Sequence, residues 1–229
     1  MADMTFPSRW TPEDPDIIQL YSMATPNGQK VSIALEEMGL EYEPHLINIL
    51  ENDQHDPEFL TFSPNGKIPA IIDPHGPEDE PVGLCESAAI LIYLADKTGK
   101  LLPQSYLSRM EHLQWLMFQM GHIGPFFGQF GHFYKFMRDK LSDDYPLERY
   151  TREARRLLGV LDARLDGRRY MMDEYSIVDI AIVPWVNCCA EFYEAYEALE
   201  MASFAHVDAW RQRVSERPAY EKGKSVCSL

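Results

Sequence analysis

Cysteine is scarce in this sequence: Cys85, Cys188, Cys189 and Cys227 are the only four among 229 residues. They form no Cys-x-x-Cys motif, and neither they nor the seven histidines show the spacing of a metal site. A chain of this length buries enough surface to fold without a disulfide or a structural metal. We therefore expect no metal, and a reducing, cytoplasmic location.

Long apolar runs and an excess of basic residues are also missing. No segment approaches the ~20 apolar residues that cross a bilayer, so no membrane partner is expected. Lysine and arginine total 21 against 36 acidic residues, a net charge of −15, which argues against nucleic acid as a partner. Residues 1–16 hold four acids, three prolines and no apolar core, which predicts a flexible N-terminal tail and not a signal peptide.

The charge and the hydrophobic pattern both change near Pro103. Residues 1–103 carry 5 basic and 18 acidic side chains, a balance of −13, whereas residues 104–229 carry 16 and 18, a balance of −2. The pattern predicts an α/β domain over residues 17–103, with the order β-α-β-α-β-β-α, and an all-helical domain over residues 104–229. The predicted strands are 17–21, 44–49, 68–72 and 82–84, and the predicted helices between them are 27–39, 57–62 and 87–96.

Three short segments at predicted strand and helix boundaries could carry chemistry. Thr25-Pro26-Asn27-Gly28 opens the first helix, where free N–H groups and the helix dipole stabilise an anion such as a thiolate. Asn65-Gly66-Lys67-Ile68-Pro69 precedes a strand, and its proline is compatible with a cis peptide bond. Leu84-Cys85-Glu86-Ser87 places an acid and a hydroxyl at the start of another helix. Each segment is also an ordinary boundary, so the residues alone leave both interpretations open.

Together the three segments resemble the thioredoxin-like domain of the glutathione transferases. In the second half, Tyr175-Ser176-Ile177-Val178-Asp179 is similar to the capping box of that family, in which Ser176 and Asp179 cap one helix reciprocally. The resemblance covers about residues 17–217. It implies a thioredoxin-like α/β N-terminal domain, an all-α C-terminal helical domain and a homodimer.

The first segment resembles one class within that family. Thr25-Pro26-Asn27-Gly28 stands where glutaredoxin-like relatives have Cys-Pro-x-Cys. It is similar to the Nu class of bacterial transferases and to the transferase-like domain of the yeast nitrogen-regulating prion protein. That resemblance implies a site for glutathione as substrate, holding two molecules per subunit or the disulfide form.

The same resemblance implies roles for particular residues. Asn27 and Thr25 would polarise the glutathione sulfur, and Arg149 would reach a second glutathione. His132 lies in the stretch 131–134, which matches the same class and is assigned to the glutathione site. The remaining residues would hold the tripeptide, with the last two taking the γ-glutamyl ammonium and carboxylate: Gln54, Lys67, Ile68, Pro69, Glu86 and Ser87.

Two other groups could assist the sulfur. Ser22 lies near the end of the first strand, where many transferases use a hydroxyl, but the Asn27 match favours a turn residue that faces solvent or backbone. Cys85 precedes Glu86, so a mixed disulfide with glutathione is conceivable. That position is expected to face inward, however, where a buried cysteine behaves as an inert small hydrophobe. Cys227 lies far in sequence from the glutathione motifs.

The helical half adds an aromatic segment and a basic face. Aromatic residues between Trp115 and Met137 alternate with glycines and a proline, which predicts a kinked helix pair serving the core, the dimer seam and the cleft for a disulfide or electrophile. Arg149, Arg152 and Arg156 lie opposite an apolar stripe at helical spacing. That stripe consists of Ala154, Leu157, Leu158, Leu161 and Leu165.

The resemblance implies a cytoplasmic, homodimeric glutathione transferase of Nu type with glutathione-dependent disulfide-bond reductase activity. Its chemistry would use the thiolate of bound glutathione and no enzyme cysteine. A glutathione-conjugating transferase for small electrophiles is one alternative, and a glutathione-binding regulator with little catalysis is another. Peroxide reduction stays open as a side activity.

Overall fold

The computed structural model describes residues 6–229, which fall into two compact units. One unit runs to Lys100 and includes Pro218–Leu229, and the other is Leu101–Arg217. The first has α/β architecture and the second is built of helices, as the hydrophobic pattern predicts. The boundary between the two units comes after Lys100, whereas the sequence pattern places it after Pro103. The last twelve residues lie with the α/β unit, although the sequence pattern assigns them to the helical domain.

The strands and helices follow the predicted order. The α/β unit contains β1 (Ile18–Ser22), α1 (Pro26–Met38), β2 (Tyr42–Leu46), α2 (Pro57–Leu60), β3 (Ala70–Asp73), β4 (Val82–Cys85) and α3 (Ser87–Thr98). The helical unit contains α4 (Tyr106–Phe118), α5 (Gly124–Gly131), α6 (Tyr145–Leu165), α7 (Ile177–Asn187) and α8 (Ala205–Ser215), and α9 (Pro218–Gly223) then joins the first unit. The strand order is β2-β1-β3-β4, with β2 parallel to β1 and the other neighbours antiparallel. No helix among the described residues is long and apolar enough to cross a membrane.

Helix α1 connects the sheet to the end of the chain. Thr25 caps its start, Pro26 occupies its first turn, and Gly39 ends it in the left-handed conformation. Its apolar side chains are buried, and α9 packs so closely that a Cβ on Gly223 would lie 2.7 Å from the Ile33 Cα. The Ser32 hydroxyl donates to the Gly223 carbonyl at 2.7 Å. These contacts explain why residues 218–229 belong to the α/β unit.

The N-terminal segment is held in place from Phe6 onward, which corrects the prediction of a loose tail; residues 1–5 lie outside the described part. Its short 3-10 turn is tied down by Arg9, which pairs with Asp53 at 2.5 Å, and by Trp10, whose indole N–H donates to the Leu46 carbonyl at 3.0 Å. The backbone N–H of Glu13 donates to Glu43. Polar side chains of the α/β unit therefore anchor a segment whose own composition is typical of disorder.

The aromatic segment of the helical unit is interrupted by π-helical turns, which are a common cause of the kinks that the sequence predicts here. Helix α4 passes into a π-helical turn at Gln119–Ile123, and α5 passes into another at His132–Phe136. The N–H of Gly124 bonds to the Gln119 carbonyl, five residues earlier. Pro125 follows directly and has no N–H to donate, which favours such a disruption of the α-helical ladder.

The capping box predicted at the start of α7 is present. Asp179 is fully buried and accepts hydrogen bonds from Ser176 N at 3.0 Å, Met171 N at 2.8 Å and the Trp210 indole at 2.8 Å. Ser176 Oγ in turn accepts from Val178 N at 3.2 Å. The predicted leucine face of α6 is also buried. Both α6 and α7 therefore contribute buried residues to the core of the helical unit.

Candidate functional site

The three segments singled out in the sequence converge at one edge of the sheet. Tyr21 on β1 pairs with Ala70 on β3, and Ala70 pairs with Cys85 on β4, so the three residues stand side by side. β1 and β4 run toward this edge and β3 runs away from it. The residues that follow Tyr21 and Cys85 and those that precede Ala70 therefore meet there.

The turn between β1 and α1 is tightly built. Thr25 N donates to the Met23 carbonyl at 2.6 Å, and Thr25 Oγ1 accepts from Gly28 N at 3.4 Å. A Cβ on Gly28 would lie 1.9 Å from the Met23 carbonyl oxygen, so only glycine fits against this backbone. Asn27 lies half-buried in the first turn of α1. This turn holds Asn27 at the positive end of the helix dipole.

Ser22, the rival candidate for the sulfur, faces the backbone. It is 2% exposed, and its hydroxyl donates to the Met23 carbonyl at 3.4 Å. A Cβ on Gly28 would come within 2.5 Å of Ser22 Oγ, so α1 covers the hydroxyl closely. This geometry agrees with the interpretation of Ser22 as a turn residue bonded to backbone.

Cys227 lies beside this turn, although it is about 200 residues away in sequence. Its carbonyl accepts from Ala24 N at 3.1 Å, and its sulfur accepts a hydrogen bond from Ser22 N. Cys227 is therefore far from the glutathione motifs in sequence but next to this turn in the structure, because α9 returns the end of the chain to α1. Burial raises the pKa of the Cys227 thiol to about 11, so little thiolate exists at neutral pH.

In the loop before β3 the peptide bond between Ile68 and Pro69 is cis, the isomer that the sequence allows but does not decide. Gly66 turns the chain with a φ of +60°, and Ser63 Oγ donates to the Lys67 carbonyl at 2.7 Å. The Lys67 side chain is exposed and Ile68 is half-buried.

Gln54 packs against this loop, and its backbone carbonyl oxygen would lie 3.2 Å from a Cβ on Gly66. Its side chain is only 9% exposed. Within residues 6–229, Gln54 Oε1 has no hydrogen-bond partner. A buried acceptor in this state is suited to an N–H group from a ligand.

Glu86 and Ser87 lie at the start of α3, where Glu86 is exposed and Ser87 is buried. Glu86 adopts a φ of +67°, a strained conformation for a side chain with a Cβ, and its exposed carboxylate makes no capping bond. Ser87 is buried, and its Oγ accepts from Lys30 Nζ at 3.2 Å. The pair thus presents an anion and a hydroxyl at the same helix end.

Lys30 is fully buried in the structure, and the sequence alone assigns it no role. Burial lowers the pKa of Lys30 to about 7, and the nearby Glu86 carboxylate opposes that shift. The signal in the sequence is its position four residues before Ala34, on the apolar face of α1. A lysine is almost never fully buried without a partner.

Cys85 is half-buried, whereas the sequence predicts a fully buried side chain. Its side chain packs against an apolar cluster beneath the sheet edge. That cluster consists of Tyr21, Ile47, Phe59, Phe62, Ala70 and Ile72. Cys85 faces inward as predicted, with Glu86 following it toward the exposed side.

Arg149 and His132 belong to the helical unit. Arg149 is exposed on α6, whereas Arg155 pairs with Glu200 at 3.0 Å and Arg156 pairs with Glu153 at 2.7 Å. Tyr150, next to Arg149, stacks on Phe133 with ring centroids 5.4 Å apart, and His132 meets the edge of the same phenylalanine at 5.0 Å. Phe133 thus contacts both His132 and Tyr150, the neighbour of Arg149 in the sequence. Among the described residues, no group of three or more His, Cys, Asp and Glu side chains is arranged to hold a metal ion.

Comparison with known proteins assigns the two units. Residues 24–97 match the description Glutathione S-transferase, N-terminal domain, and residues 125–218 match Glutathione S-transferase, C-terminal domain. The chain belongs to the glutathione S-transferase family. The fold expected from the sequence, a thioredoxin-like domain followed by a helical domain, and the expectation of an enzyme of this family are both confirmed.

Individual members of the glutathione S-transferase family are close to this chain. Disulfide-bond oxidoreductase YghU of Escherichia coli (strain K12) is 44% identical over 220 residues, which cover 91% of this chain and 74% of the relative. A family member from Pseudomonas fluorescens Pf-5, crystallised with two glutathione bound, is 54% identical with a TM-score of 0.94, covering 95% of this chain and 96% of that chain. A transferase from Pseudomonas putida, with one glutathione disulfide per subunit, is 50% identical with a TM-score of 0.93, covering 94% of each.

Proposed function

We propose that this glutathione transferase is of Nu type and reduces disulfide bonds with glutathione, using no cysteine of its own. The observation that carries the proposal is the turn Thr25–Gly28, which offers an amide, a hydroxyl and a helix N-terminus where glutaredoxin-like relatives have thiols. The similarity to a protein named disulfide-bond oxidoreductase and to a structure holding glutathione disulfide supports it.

The reaction consists of two thiol–disulfide exchanges. The thiolate of a first glutathione attacks one sulfur of a disulfide, forming a mixed disulfide and releasing a thiolate that takes up a proton. A second glutathione thiolate then attacks the glutathione sulfur of that mixed disulfide. Glutathione disulfide forms and the second substrate thiol leaves. Two glutathione thiols are oxidised, and their two protons end on the two product thiols.

The residues of the first unit would stabilise and orient the first glutathione. Asn27 and Thr25, in the first turn of α1, would donate to the sulfur, and the helix dipole would favour its ionised form. This arrangement lowers the pKa of the bound thiol and fixes its direction of attack.

The rest of the tripeptide would lie along the same sheet edge. Ile68 and the cis Pro69 present backbone next to β3, and the unpartnered Gln54 Oε1 offers an acceptor for a peptide N–H. Lys67 supplies an exposed cation for a carboxylate. Glu86 would bind the γ-glutamyl ammonium and Ser87 the adjacent carboxylate.

The state of the cysteines supports a reaction without an enzyme thiol. Burial raises the pKa of Cys188 and of Cys227 to about 11, and it also raises the pKa of Cys189 well above its usual value. Cys85 packs inward on an apolar cluster. The thiolate is the nucleophile in disulfide exchange, so a glutathione held by Asn27 is the better source of it.

Arg149 and His132 would serve the second glutathione, and the exposure of Arg149 leaves it able to reach a carboxylate. Replacing Arg149 with alanine should weaken binding of glutathione disulfide about fivefold to tenfold, the effect of one solvent-accessible charge-assisted contact. Reduced glutathione should bind the first site nearly unchanged. Isothermal titration with each ligand measures the difference.

Arg152 provides the matched control, because it is also exposed and lies one turn further along α6. Arg152→Ala removes the same charge and should affect both ligands equally and weakly. If Arg149→Ala also weakens both ligands equally, the second glutathione site is elsewhere and the conjugating alternative gains support.

A homodimer in a reducing, cytoplasmic compartment completes the proposal. Helix α4 exposes large apolar side chains, with Tyr106 76% and Leu107 81% accessible and Met110 and Met117 about half exposed. Such a face is suited to a second copy of the chain. The four free cysteines agree with a reducing compartment.

A further inference from the structure

The buried Lys30 has no part in the function proposed above. We propose that Lys30 is a positioning residue for the γ-glutamyl carboxylate: it orients the Ser87 hydroxyl and supplies the positive charge that balances the bound anion. This inference rests on the proposed function, because it assumes that Glu86 and Ser87 hold the γ-glutamyl end of glutathione.

The first argument is the hydrogen bond between α1 and α3. Lys30 Nζ lies 3.2 Å from Ser87 Oγ, and in its charged form it can only donate. A serine hydroxyl has two acceptor lone pairs and one O–H. Because the lysine occupies an acceptor position, the O–H is directed away from Nζ, which sets the direction in which Ser87 can donate to a carboxylate.

The second argument is the balance of charge. The γ-glutamyl end brings one ammonium and one carboxylate. Glu86 is the anion for the ammonium, so the carboxylate needs a cation, and Lys30 is the cation whose charge reaches Glu86 and Ser87 from inside the unit. Interactions between charges are strongest where water is excluded, and Lys30 is fully buried.

The third argument is the cost of the lysine itself. A buried ammonium loses its hydration, which destabilises the charged form unless partners compensate. Burial lowers the pKa of Lys30 to about 7, although the Glu86 carboxylate opposes that shift. A bound carboxylate would complete the compensation, so ligand binding and the charge on Lys30 should reinforce each other.

The test uses three ligands with the sulfur methylated, so that the thiol does not titrate. They are S-methylglutathione, its analogue without the γ-glutamyl α-carboxylate (4-aminobutanoyl), and its analogue without the α-ammonium (glutaryl). Calorimetry gives their dissociation constants for the wild type and for Lys30→Met. Lys30→Gln, which can still donate to Ser87 but carries no charge, is the second variant. Lys100→Met is the control, because Lys100 donates to the Met38 carbonyl in the same unit.

Lys30→Met should raise the dissociation constants of S-methylglutathione and of the glutaryl analogue about tenfold. The dissociation constant of the 4-aminobutanoyl analogue should not change. Lys30→Gln should show the same selectivity to a smaller degree. In turnover assays KM for glutathione should rise while kcat at saturation is retained. Lys100→Met should match the wild type for every ligand.

Equal losses for all three ligands, in both Lys30 variants, would show that Lys30 only supports the fold and would overturn the proposal. Unchanged binding of all three would overturn it as well. A wild-type protein that binds none of them would instead refute the glutathione site itself, and this inference with it.

Discussion

Replacement of Asn27 by alanine is expected to slow disulfide reduction about 10- to 150-fold while glutathione affinity changes far less. The side chain would donate one hydrogen bond to the ionised sulfur, and losing such a bond costs roughly 1.5–3 kcal/mol. Glu86, Ser87 and the Ile68 backbone would still hold the rest of the tripeptide. Steady-state reduction of a small disulfide, coupled to measurement of glutathione disulfide, gives kcat and KM separately.

Ser22→Ala is the matched comparison, because Ser22 is the rival candidate for the sulfur at the β1–α1 turn and its hydroxyl already bonds to the Met23 carbonyl. It should retain most of the turnover. The opposite ranking, with Ser22→Ala inactive and Asn27→Ala active, would assign the protein to a class that activates glutathione through a hydroxyl.

Replacement of Asp179 by alanine is expected to lower the free energy of unfolding by about 3–5 kcal/mol. The substitution removes the acceptor of four buried donors: the N–H of Met171, the N–H and hydroxyl of Ser176, and the Trp210 indole. A buried donor left without an acceptor costs roughly 1–3 kcal/mol, and the Ser176 hydroxyl can rotate to another partner. Burial raises the pKa of Asp179 to about 6, so at neutral pH the lost group is a carboxylate. For a chain of this size the melting temperature should fall by roughly 6–20 °C, measured by circular dichroism.

Asp173→Ala is the control for this effect. Asp173 lies in the same unit, but it is exposed and its pair with Arg168 is a surface contact at 2.8 Å. Its loss should change stability by less than about 0.5 kcal/mol. Equal stabilities for the Asp179 and Asp173 variants would mean that the capping box contributes little to the helical unit.

Local patterns in the sequence were sufficient to predict much of the fold. The leucine face of α6 and the capping box at Ser176 depend on residues within one helix, and both are present. The packing of residues 218–229 depends on Gly223 meeting Ile33, a contact across about 190 residues that no local pattern encodes. The order in the N-terminal segment likewise comes from distant partners such as Asp53.

The same distinction applies to the candidate site. The strand order makes the segments around Asn27, Pro69 and Glu86 converge, and each carries a recognisable local motif. Cys227 and Lys30 belong to no recognisable local motif. Cys227 reaches the site because α9 packs on α1, and Lys30 is recognised only by its burial and its hydrogen bond to Ser87. Residues whose role depends on tertiary packing were therefore the ones missed.

The central claim, that the reacting sulfur belongs to glutathione, is tested most directly by a variant with all four cysteines replaced by alanine. Turnover should be measured with glutathione and a small disulfide and normalised to folded protein by circular dichroism. Because Cys188 and Cys189 are buried in the helical unit, the double variant Cys85→Ala/Cys227→Ala provides the same test with less loss of stability. The account predicts that both variants keep most of the wild-type kcat. A folded variant that loses nearly all activity would show that the protein supplies the thiol, and would contradict the account.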